Sequence, residues 1–333
     1  MKRLLITGGA GFIGSNFAKY MLSRHDDYLV TVLDTLTYCG NLDNFTPDVW
    51  DNPRFFFWKG DIRDKETVEN VMRQADMVVH LAAETHVDRS IDSSDAFIST
   101  DIKGTQVLLE ALRQHSVERF IHISTSEVYG TAEEVPMTES HPLNPRSPYA
   151  AAKAGADRLA YSYFVTYSLP IIIFRPFNNY GPNQYPEKMI PLFITNALED
   201  KPLPIYGDGT FTRDWLFVED TCRALDRALQ GDIEKLKGEV INLGTGEDSD
   251  INTIARLILE RLNKPESLVR FVEDRLGHVR RHLSSTSRAK VLLNWSPAIS
   301  FPQGLERTID WYIKEERWWK KLKVKGDAYV VKE

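Results

Sequence analysis

Short apolar runs and longer segments with helical spacing alternate along the first half of the chain. The runs predict strands at residues 4–7, 29–33, 55–59, 77–81, 120–124 and 170–174. The segments between them predict helices at residues 12–24, 64–73, 99–114 and 149–167. Because strands that alternate with helices form parallel βαβ units, this pattern predicts an α/β fold with a doubly wound parallel sheet of the Rossmann type.

The pattern changes after Arg175. Residues 178–188 are rich in Gly, Pro and Asn and predict a loop. Shorter helices are expected at residues 191–198, 218–229 and 251–262. A helix rich in Trp is expected at residues 304–322, and its Trp311, Trp318 and Trp319 should pack in a core. We therefore expect a Rossmann domain at residues 1–175, to which residues 213–243 return, and a smaller α/β lobe at residues 176–330 with fewer strands.

Composition narrows the class of protein. The chain has 333 residues, of which 42% are hydrophobic, and a net charge of −6, which argues against a nucleic-acid binder. Its two cysteines, Cys39 and Cys222, form no metal-binding pattern and no disulfide framework, so we expect no metal and a reducing cytoplasm. No apolar run is long enough to cross a membrane, and the N-terminal apolar run breaks at Gly8, unlike a signal peptide.

A glycine motif between the first predicted strand and helix indicates a dinucleotide site. Gly8, Gly11 and Gly14 permit a tight turn, close approach of a pyrophosphate and close packing of the helix on the strand. Asp34 ends the second strand, where a carboxylate binds the adenosine ribose and repels a 2′-phosphate. Since no Arg follows within the next few residues, we expect NAD rather than NADP as the cofactor. Asp61 and Ile62, after the third strand, are candidates to hold the adenine.

Tyr149 and Lys153 are separated by one helical turn and share a helix face. A nearby ammonium favours the phenolate, so we expect the pKa of Tyr149 to be lowered and the phenolate to take a proton from a substrate hydroxyl while NAD accepts a hydride. Thr125 and Ser126 follow a strand end, at the sheet edge where ligands of α/β proteins bind. The pattern therefore favours an NAD-dependent enzyme.

These motifs resemble those of the extended short-chain dehydrogenase/reductases, with further matches at Leu81-Ala82-Ala83 and Arg175-Pro176. Within that group the chain is similar to the dTDP-glucose 4,6-dehydratases over nearly its whole length. The local matches are residues 36–42, 83–90 and 178–182, followed by Pro186-Glu187-Lys188, Ile205-Tyr206-Gly207, Arg213-Asp214-Trp215 and Gly277-His278. The segments that begin at Thr85 and Asn178 are the more specific to the dehydratases.

The resemblance implies a reaction on a nucleotide-linked sugar. Tyr149 would deprotonate the C4 hydroxyl as NAD takes the C4 hydride, Glu127 would remove the C5 proton, water would leave from C6, and hydride would return to C6. It also implies three groups of residues. The catalytic group is Tyr149, Lys153, Thr125, Glu127 and Ser126. The cofactor group is Gly8, Gly11, Phe12, Ile13, Gly14, Asp34, Asp61, Ile62, Leu81, Ala82, Ala83, Tyr149 and Lys153. The substrate group is His86, Asn178, Asn179, Lys188, Arg213, Asn242 and Arg280.

The sequence departs from the dehydratase pattern where the acid of the reaction is expected. The pattern is Thr-Asp-Glu, with Asp as the acid for the C6 oxygen, whereas this chain has Thr125-Ser126-Glu127. A serine hydroxyl is a poor general acid, so Glu127 would have to act first as base and then as acid. A second departure is Val279, where the pattern usually has Asp.

Other functions remain open at this point. A nucleotide-sugar 4-epimerase or a UDP-glucuronate decarboxylase would use the same cofactor and Tyr149, and a non-catalytic NAD-binding scaffold would keep only the fold. An epimerase does not need Glu127, and a decarboxylase needs a cation for the substrate carboxylate, for which only Arg146 is present in residues 144–148. We also expect a homodimer, as in the family, formed by residues 95–114 and 149–167 with Leu159, Tyr163 and Phe164 in the contact.

Overall fold

A computed structural model describes residues 1–274 and 276–326. Within these residues the chain forms the strands β1 (Lys2–Thr7), β2 (Tyr28–Asp34), β3 (Phe55–Lys59), β4 (Met77–His80), β5 (Arg119–Ile123), β6 (Ile171–Pro176), β7 (Asn178–Tyr180), β8 (Leu203–Tyr206), β9 (Thr212–Phe217), β10 (Val240–Leu243), β11 (Asp248–Asp250) and β12 (Val269–Val272).

The helical segments that the sequence predicts are present, together with shorter helices that it does not predict. They are α1 (Phe12–Arg24), α2 (Pro47–Trp50), α3 (Lys65–Met72), α4 (Val87–Asp92), α5 (Asp95–Phe97), α6 (Thr105–Gln114), α7 (Pro148–Tyr167), α8 (Met189–Leu198), α9 (Val218–Gln230), α10 (Ile233–Leu236), α11 (Ile251–Leu262), α12 (Ser287–Leu293), α13 (Phe301–Lys314) and α14 (Glu316–Gly326). A π-helical segment, Ile98–Gly104, joins α5 to α6, and 3-10 turns lie at Leu42–Asn44, Ser126–Tyr129 and Glu266–Leu268.

Seven strands form one parallel sheet in the order β10-β6-β5-β4-β1-β2-β3. Successive side chains of a strand point to opposite faces, so Leu4 and Ile6 belong to a core with α1 and α9, whereas Leu5 belongs to a core with α3, α6 and α7. Burial on both faces explains why these strands are continuous apolar runs. The prediction of a doubly wound Rossmann-type sheet is confirmed.

The second half of the chain adds a three-stranded sheet, β11-β9-β7, and a two-stranded sheet, β12-β8. A separate apolar core joins them to α8, α11 and α13, and it contains Trp318 at 7% exposure and Trp319 at 1%. Trp311 packs against the same core, which confirms that the C-terminal tryptophans serve packing.

Several sequence-based boundaries are wrong. Residues 178–188 are not all loop, because β7 pairs with β9. The predicted helix 304–322 is interrupted at Glu315, where α13 ends and α14 begins. The expectation of fewer strands in the second half is also wrong, since β7 to β12 equal the first half in number; their three to six residues each are too short and too polar to stand out.

The two-part division of the chain is only partly reflected in strand pairing. From residues 213–243, β10 joins the large sheet next to β6 and α9 packs on α1, whereas β9 pairs with β7 and β11 instead. The boundary near residue 175 stays a prediction, and residues 327–330 of the expected lobe lie outside the described residues. No described helix is long and apolar enough to cross a membrane.

Candidate active site

A cleft of about 610 Å³ lies at the carboxyl ends of the parallel strands, between the large sheet and the second half of the chain. Nearly all of the expected site residues line it. These are Gly8, Gly11, Phe12, Ile13, Gly14, Asp34, Asp61, Ile62, Leu81, Ala82, Ala83, His86, Thr125, Ser126, Glu127, Tyr149, Lys153, Asn178, Asn179, Lys188 and Arg213. The fold therefore collects in one place residues that are up to about two hundred positions apart.

The glycine loop fits a pyrophosphate. Gly8 has φ +67°, and a Cβ there would lie 2.6 Å from the backbone of Ala82 at the end of β4, so only glycine permits this approach. A Cβ on Gly14 would lie 2.4 Å from the carbonyl oxygen of Gly8, which explains how α1 begins so close to the turn. Among the described residues no side chain caps the N-terminus of α1, so its amides are available to an anion.

Asp34 is held rigidly at the end of β2. Its Oδ2 accepts a hydrogen bond from the Ala10 amide at 3.0 Å and its Oδ1 accepts one from the Leu36 amide at 2.8 Å. Burial raises the pKa of Asp34, although both amides counter this effect. The neighbouring strand end carries Asp61, whose pKa is lowered by its contact with Arg63, and Arg63 also lines the cleft.

Tyr149 and Lys153 occupy adjacent turns of α7, which begins after the cap Ser147. Lys153 donates a hydrogen bond from Nζ to the Ile123 carbonyl at 2.7 Å, and burial lowers the pKa of its ammonium. Burial and the nearby Asp101 carboxylate raise the pKa of Tyr149, while a hydrogen bond with the Thr125 hydroxyl lowers it. The expectation of a lowered pKa at Tyr149 is therefore wrong for the free chain, since burial outweighs the hydrogen bond with Thr125.

Ser126 and Glu127 begin the 3-10 turn that follows β5. Thr125 caps this turn, because its Oγ1 accepts a hydrogen bond from the Glu127 amide at 3.2 Å. The side chain of Glu127 keeps 18% of its surface exposed and lines the cleft, whereas Ser126 is buried. Glu127 is thus a carboxylate on the same wall of the cleft as Tyr149 and Lys153, which suits removal of a proton from a bound substrate.

The family model for GDP-mannose 4,6-dehydratases matches residues 5–308. The chain belongs to this family. The low-salt glycan biosynthesis protein Agl12 of Haloferax volcanii is 48% identical over 94% of this chain and 99% of its own length. A dTDP-glucose 4,6-dehydratase of Actinoplanes sp. is 44% identical over 95% of this chain and 99% of its own.

Solved structures agree with the family assignment. DesIV of Streptomyces venezuelae, a dTDP-glucose 4,6-dehydratase crystallised with NAD, superimposes with a TM-score of 0.92 at 44% identity, covering 96% of this chain and 99% of DesIV. The resemblance to the 4,6-dehydratases that the sequence motifs indicate is confirmed by these matches.

On the substrate side of this dehydratase-family cleft, Arg213 is 5% exposed and donates a hydrogen bond to the Thr212 carbonyl at 2.9 Å. Lys188 donates from Nζ to the Thr85 carbonyl at 2.7 Å. His86 lines the cleft, but its Nδ1 accepts a hydrogen bond from the Arg89 amide at 3.3 Å and so also caps α4. Arg213 and Lys188 are thus two basic side chains that line the cleft.

Two expected substrate residues do not line the cleft. Asn242 is fully buried in β10, where its Oδ1 accepts a hydrogen bond from Tyr129 at 2.7 Å and its Nδ2 donates to the Met137 carbonyl at 3.0 Å. Arg280 is exposed outside the cleft. Their assignment as substrate residues stays a prediction: Asn242 forms hydrogen bonds within the core, and Arg280 lies on the surface of the segment after Gly277.

Sequence reasoning missed three residues at this dehydratase-family site. Arg63 follows Asp61 closely and had a detectable signal, a charged pair at a strand end. Asp101 is 1% exposed in the π-helical segment, and burial raises its pKa to about 7. His282 lies fully buried behind Ser126 and Glu127 although 156 positions separate it from Ser126, and no local pattern marks it.

Proposed function

We propose that this chain is an NAD-dependent nucleotide-sugar 4,6-dehydratase, which converts an NDP-glucose-type substrate into an NDP-4-keto-6-deoxyhexose and water. The observation that carries the proposal is that Tyr149, Lys153 and Glu127 line one cleft beside a glycine loop that fits a dinucleotide. The family members named above support the same reaction class.

NAD as the cofactor is confirmed at the level of the family, since DesIV contains it. In this chain the glycine loop and the N-terminus of α1 would hold the pyrophosphate, and Asp34 the adenosine ribose. Bound NAD supplies a hydride acceptor for C4 and, later in the cycle, a hydride donor for C6. Tyr149 and Lys153 line the part of the cleft where that exchange would occur.

The chain's own residues account for the proton movements. Tyr149 takes the proton of the C4 hydroxyl, assisted by its hydrogen bond with Thr125, which favours the phenolate. The C4 ketone that results makes the C5 proton acidic, and Glu127 removes it. We infer that Arg213 and Lys188 bind the diphosphate and that Asn178 and Asn179 bind the sugar, because all four line the cleft.

The test is incubation of the purified enzyme with a panel of nucleotide sugars, followed by mass spectrometry. Loss of one water from an NDP-hexose is the expected result. Loss of carbon dioxide from UDP-glucuronate would instead identify a decarboxylase, and an unchanged mass with altered chromatographic mobility a 4-epimerase. Turnover of no member of the panel would favour a non-catalytic NAD-binding scaffold.

We further infer a homodimer, but with a different contact from the one that the sequence suggests. Leu159, Tyr163 and Phe164 face the core of their own chain, packed against the sheet. The exposed apolar side chains of the same segments include Ile98 at 51% exposure, Val165 at 60%, Tyr161 and Tyr167, and they are the better candidates for a helical seam. A monomeric mass by light scattering at micromolar concentration would contradict the dimer. A cytoplasmic location stays a prediction from cysteine usage.

A further inference from the structure

A buried imidazole lies directly behind the proposed proton-transfer residues. His282 is fully buried, and its Nε2 is 2.8 Å from the carbonyl oxygen of Gly130. A carbonyl oxygen only accepts hydrogen bonds, so Nε2 carries a hydrogen. In a neutral ring Nδ1 is then an acceptor, and Nδ1 lies 3.3 Å from Ser126 Oγ and 3.9 Å from Glu127 Oε1.

The ring is fixed by the backbone around it. The amide of His282 donates to the Thr212 carbonyl at 3.2 Å, next to the bridge between Thr212 and Arg281. The carbonyl of Arg281 accepts a hydrogen bond from the Ala132 amide at 3.3 Å. The ring of Phe177 packs edge-on against the imidazole, with centroids 5.9 Å apart. The acceptor atom therefore has a fixed direction, toward the two side chains that begin the 3-10 turn.

Burial, more than the charges that face it, keeps the ring of His282 neutral. Burial lowers the pKa of His282 to about 4; Glu127 counters this effect, and Arg213 and His141 add to it. At neutral pH the ring nitrogen Nδ1 is thus a hydrogen-bond acceptor for a hydroxyl or for a protonated carboxyl group. Ser126 satisfies this acceptor, and Glu127 is the carboxylate beside it.

We propose that His282 is a positioning residue for Glu127, and that the pair takes over the proton handling that an aspartic acid at position 126 performs in the dehydratase pattern. This inference rests on the proposed function. It explains why a serine suffices at position 126: a hydroxyl donates to Nδ1, whereas a second carboxylate there would face the lone pair of a neutral ring.

The proton balance of the water-loss step closes with these two residues. The C5–H bond breaks, the proton forms an O–H bond on Glu127, and this O–H group takes the place of the Ser126 hydroxyl as the donor to His282 Nδ1. The electron pair from C5–H forms the C5–C6 double bond as the C6–O bond breaks, and the proton on Glu127 passes to the leaving oxygen to give water. The proton that Tyr149 took from the C4 hydroxyl balances the one that C5 regains when C6 receives the hydride.

Two substitutions separate the two nitrogen atoms of the ring. In His282→Gln the amide can still reach the Gly130 carbonyl, but nothing replaces Nδ1. In His282→Asn a polar atom remains near the Nδ1 position, while the bond to Gly130 is lost. Each holoenzyme is mixed with a nucleotide sugar that the wild type dehydrates, and reduction of bound NAD and loss of water are timed separately in a single turnover.

We expect His282→Gln to reduce NAD within about threefold of the wild-type rate and to lose water about 10–100-fold more slowly, at the lower end of a proton-transfer contribution. In His282→Asn the ratio of the water-loss rate to the NAD-reduction rate should stay close to that of the wild type. The acidic limb of the water-loss pH profile should move to lower pH in His282→Gln, because the protonated Glu127 loses its acceptor. If His282→Gln does not fold, the ratio in His282→Asn decides: a wild-type ratio supports the proposal and a lowered ratio overturns it.

An unchanged ratio of water loss to NAD reduction in His282→Gln would overturn the role of His282, as would an equal slowing of both steps, since both results describe a side chain that only packs. A wild-type enzyme that reduces its NAD but releases no water from any nucleotide sugar would overturn the proposed function instead. Failure of the proposed role of His282 is therefore seen in the variant, and failure of the proposed function is seen in the wild type.

Discussion

The substitution Glu127→Gln tests the proposed chemistry most directly. It keeps the size of the side chain and one hydrogen-bonding oxygen, and it removes the ability to take a proton. The contact of Tyr149 with Thr125 and the bond from Lys153 to the Ile123 carbonyl do not involve the Glu127 side chain. The oxidation at C4 should therefore survive the substitution, and the water loss should not.

The size of the effect follows from what the structure offers as a replacement. His282 is fully buried and is not among the residues that line the cleft, so it has no direct access to C5. A proton transfer by a positioned side chain contributes about 10²–10⁴-fold. At about 1.4 kcal/mol for each tenfold change, this loss corresponds to about 3–5 kcal/mol of activation free energy.

The assay follows two signals after one addition of substrate. The absorbance of reduced nicotinamide should rise at nearly the wild-type rate and then persist, while mass spectrometry in deuterated water should detect no exchange at C5. Glu133→Gln is a suitable control, because Glu133 is exposed and pairs with Asn144 outside the cleft. Turnover of Glu127→Gln near the normal rate would exclude chemistry at C5 and place the 4-epimerase first.

Three further outcomes follow from other residues. Asp157→Asn should lower the free energy of unfolding by about 3–5 kcal/mol, because Arg175, 2.8 Å from Asp157, would stay buried and unpaired. Burial alone would raise the pKa of Asp157, but Arg175 and Arg158 bring it well below its usual value, so this contribution is present at neutral pH and is lost as the pH falls. Urea unfolding that is equal for both proteins at neutral pH would contradict this prediction. Gly8→Ala should lose its NAD during purification, and its free energy of unfolding should fall by about 1–3 kcal/mol. Gly246→Ala, which has a similar φ of +77° but no atom closer than 3.7 Å to its new Cβ, should keep its NAD. Titration should show NAD binding at least about tenfold tighter than NADP because Asp34 repels a 2′-phosphate, and equal binding would refute this role.

The parts of the fold that the sequence predicts well are those whose pattern is local. Strands such as β6 are buried on both faces and read as uninterrupted apolar runs, and α1 has the same bounds in the structure as in the prediction. By contrast, β7 and β11 consist of mostly polar residues and are strands only because β9 lies between them. No pattern within three residues encodes that pairing, which tertiary contacts decide.

The same distinction separates the site residues. The glycine motif and the Tyr149–Lys153 pair have a fixed spacing on one element, so the sequence predicts their position. Asn242 was assigned by resemblance alone, and its burial under Tyr129 is a property of β10 that only the packed sheet determines. His282 joins Ser126 from a segment that follows β12 in the chain, and the contact depends on backbone pairing that the sequence does not display.

The pairing of β10 with β6 ties the two halves of the chain together in one folding unit. Residues 1–175 alone would leave the apolar strand β6 as an exposed edge strand, which can pair with other chains and promote aggregation. The cofactor-binding half therefore cannot be exchanged between relatives as an independent module at that boundary. A chimera that keeps this sheet intact has to carry β10 with its N-terminal half.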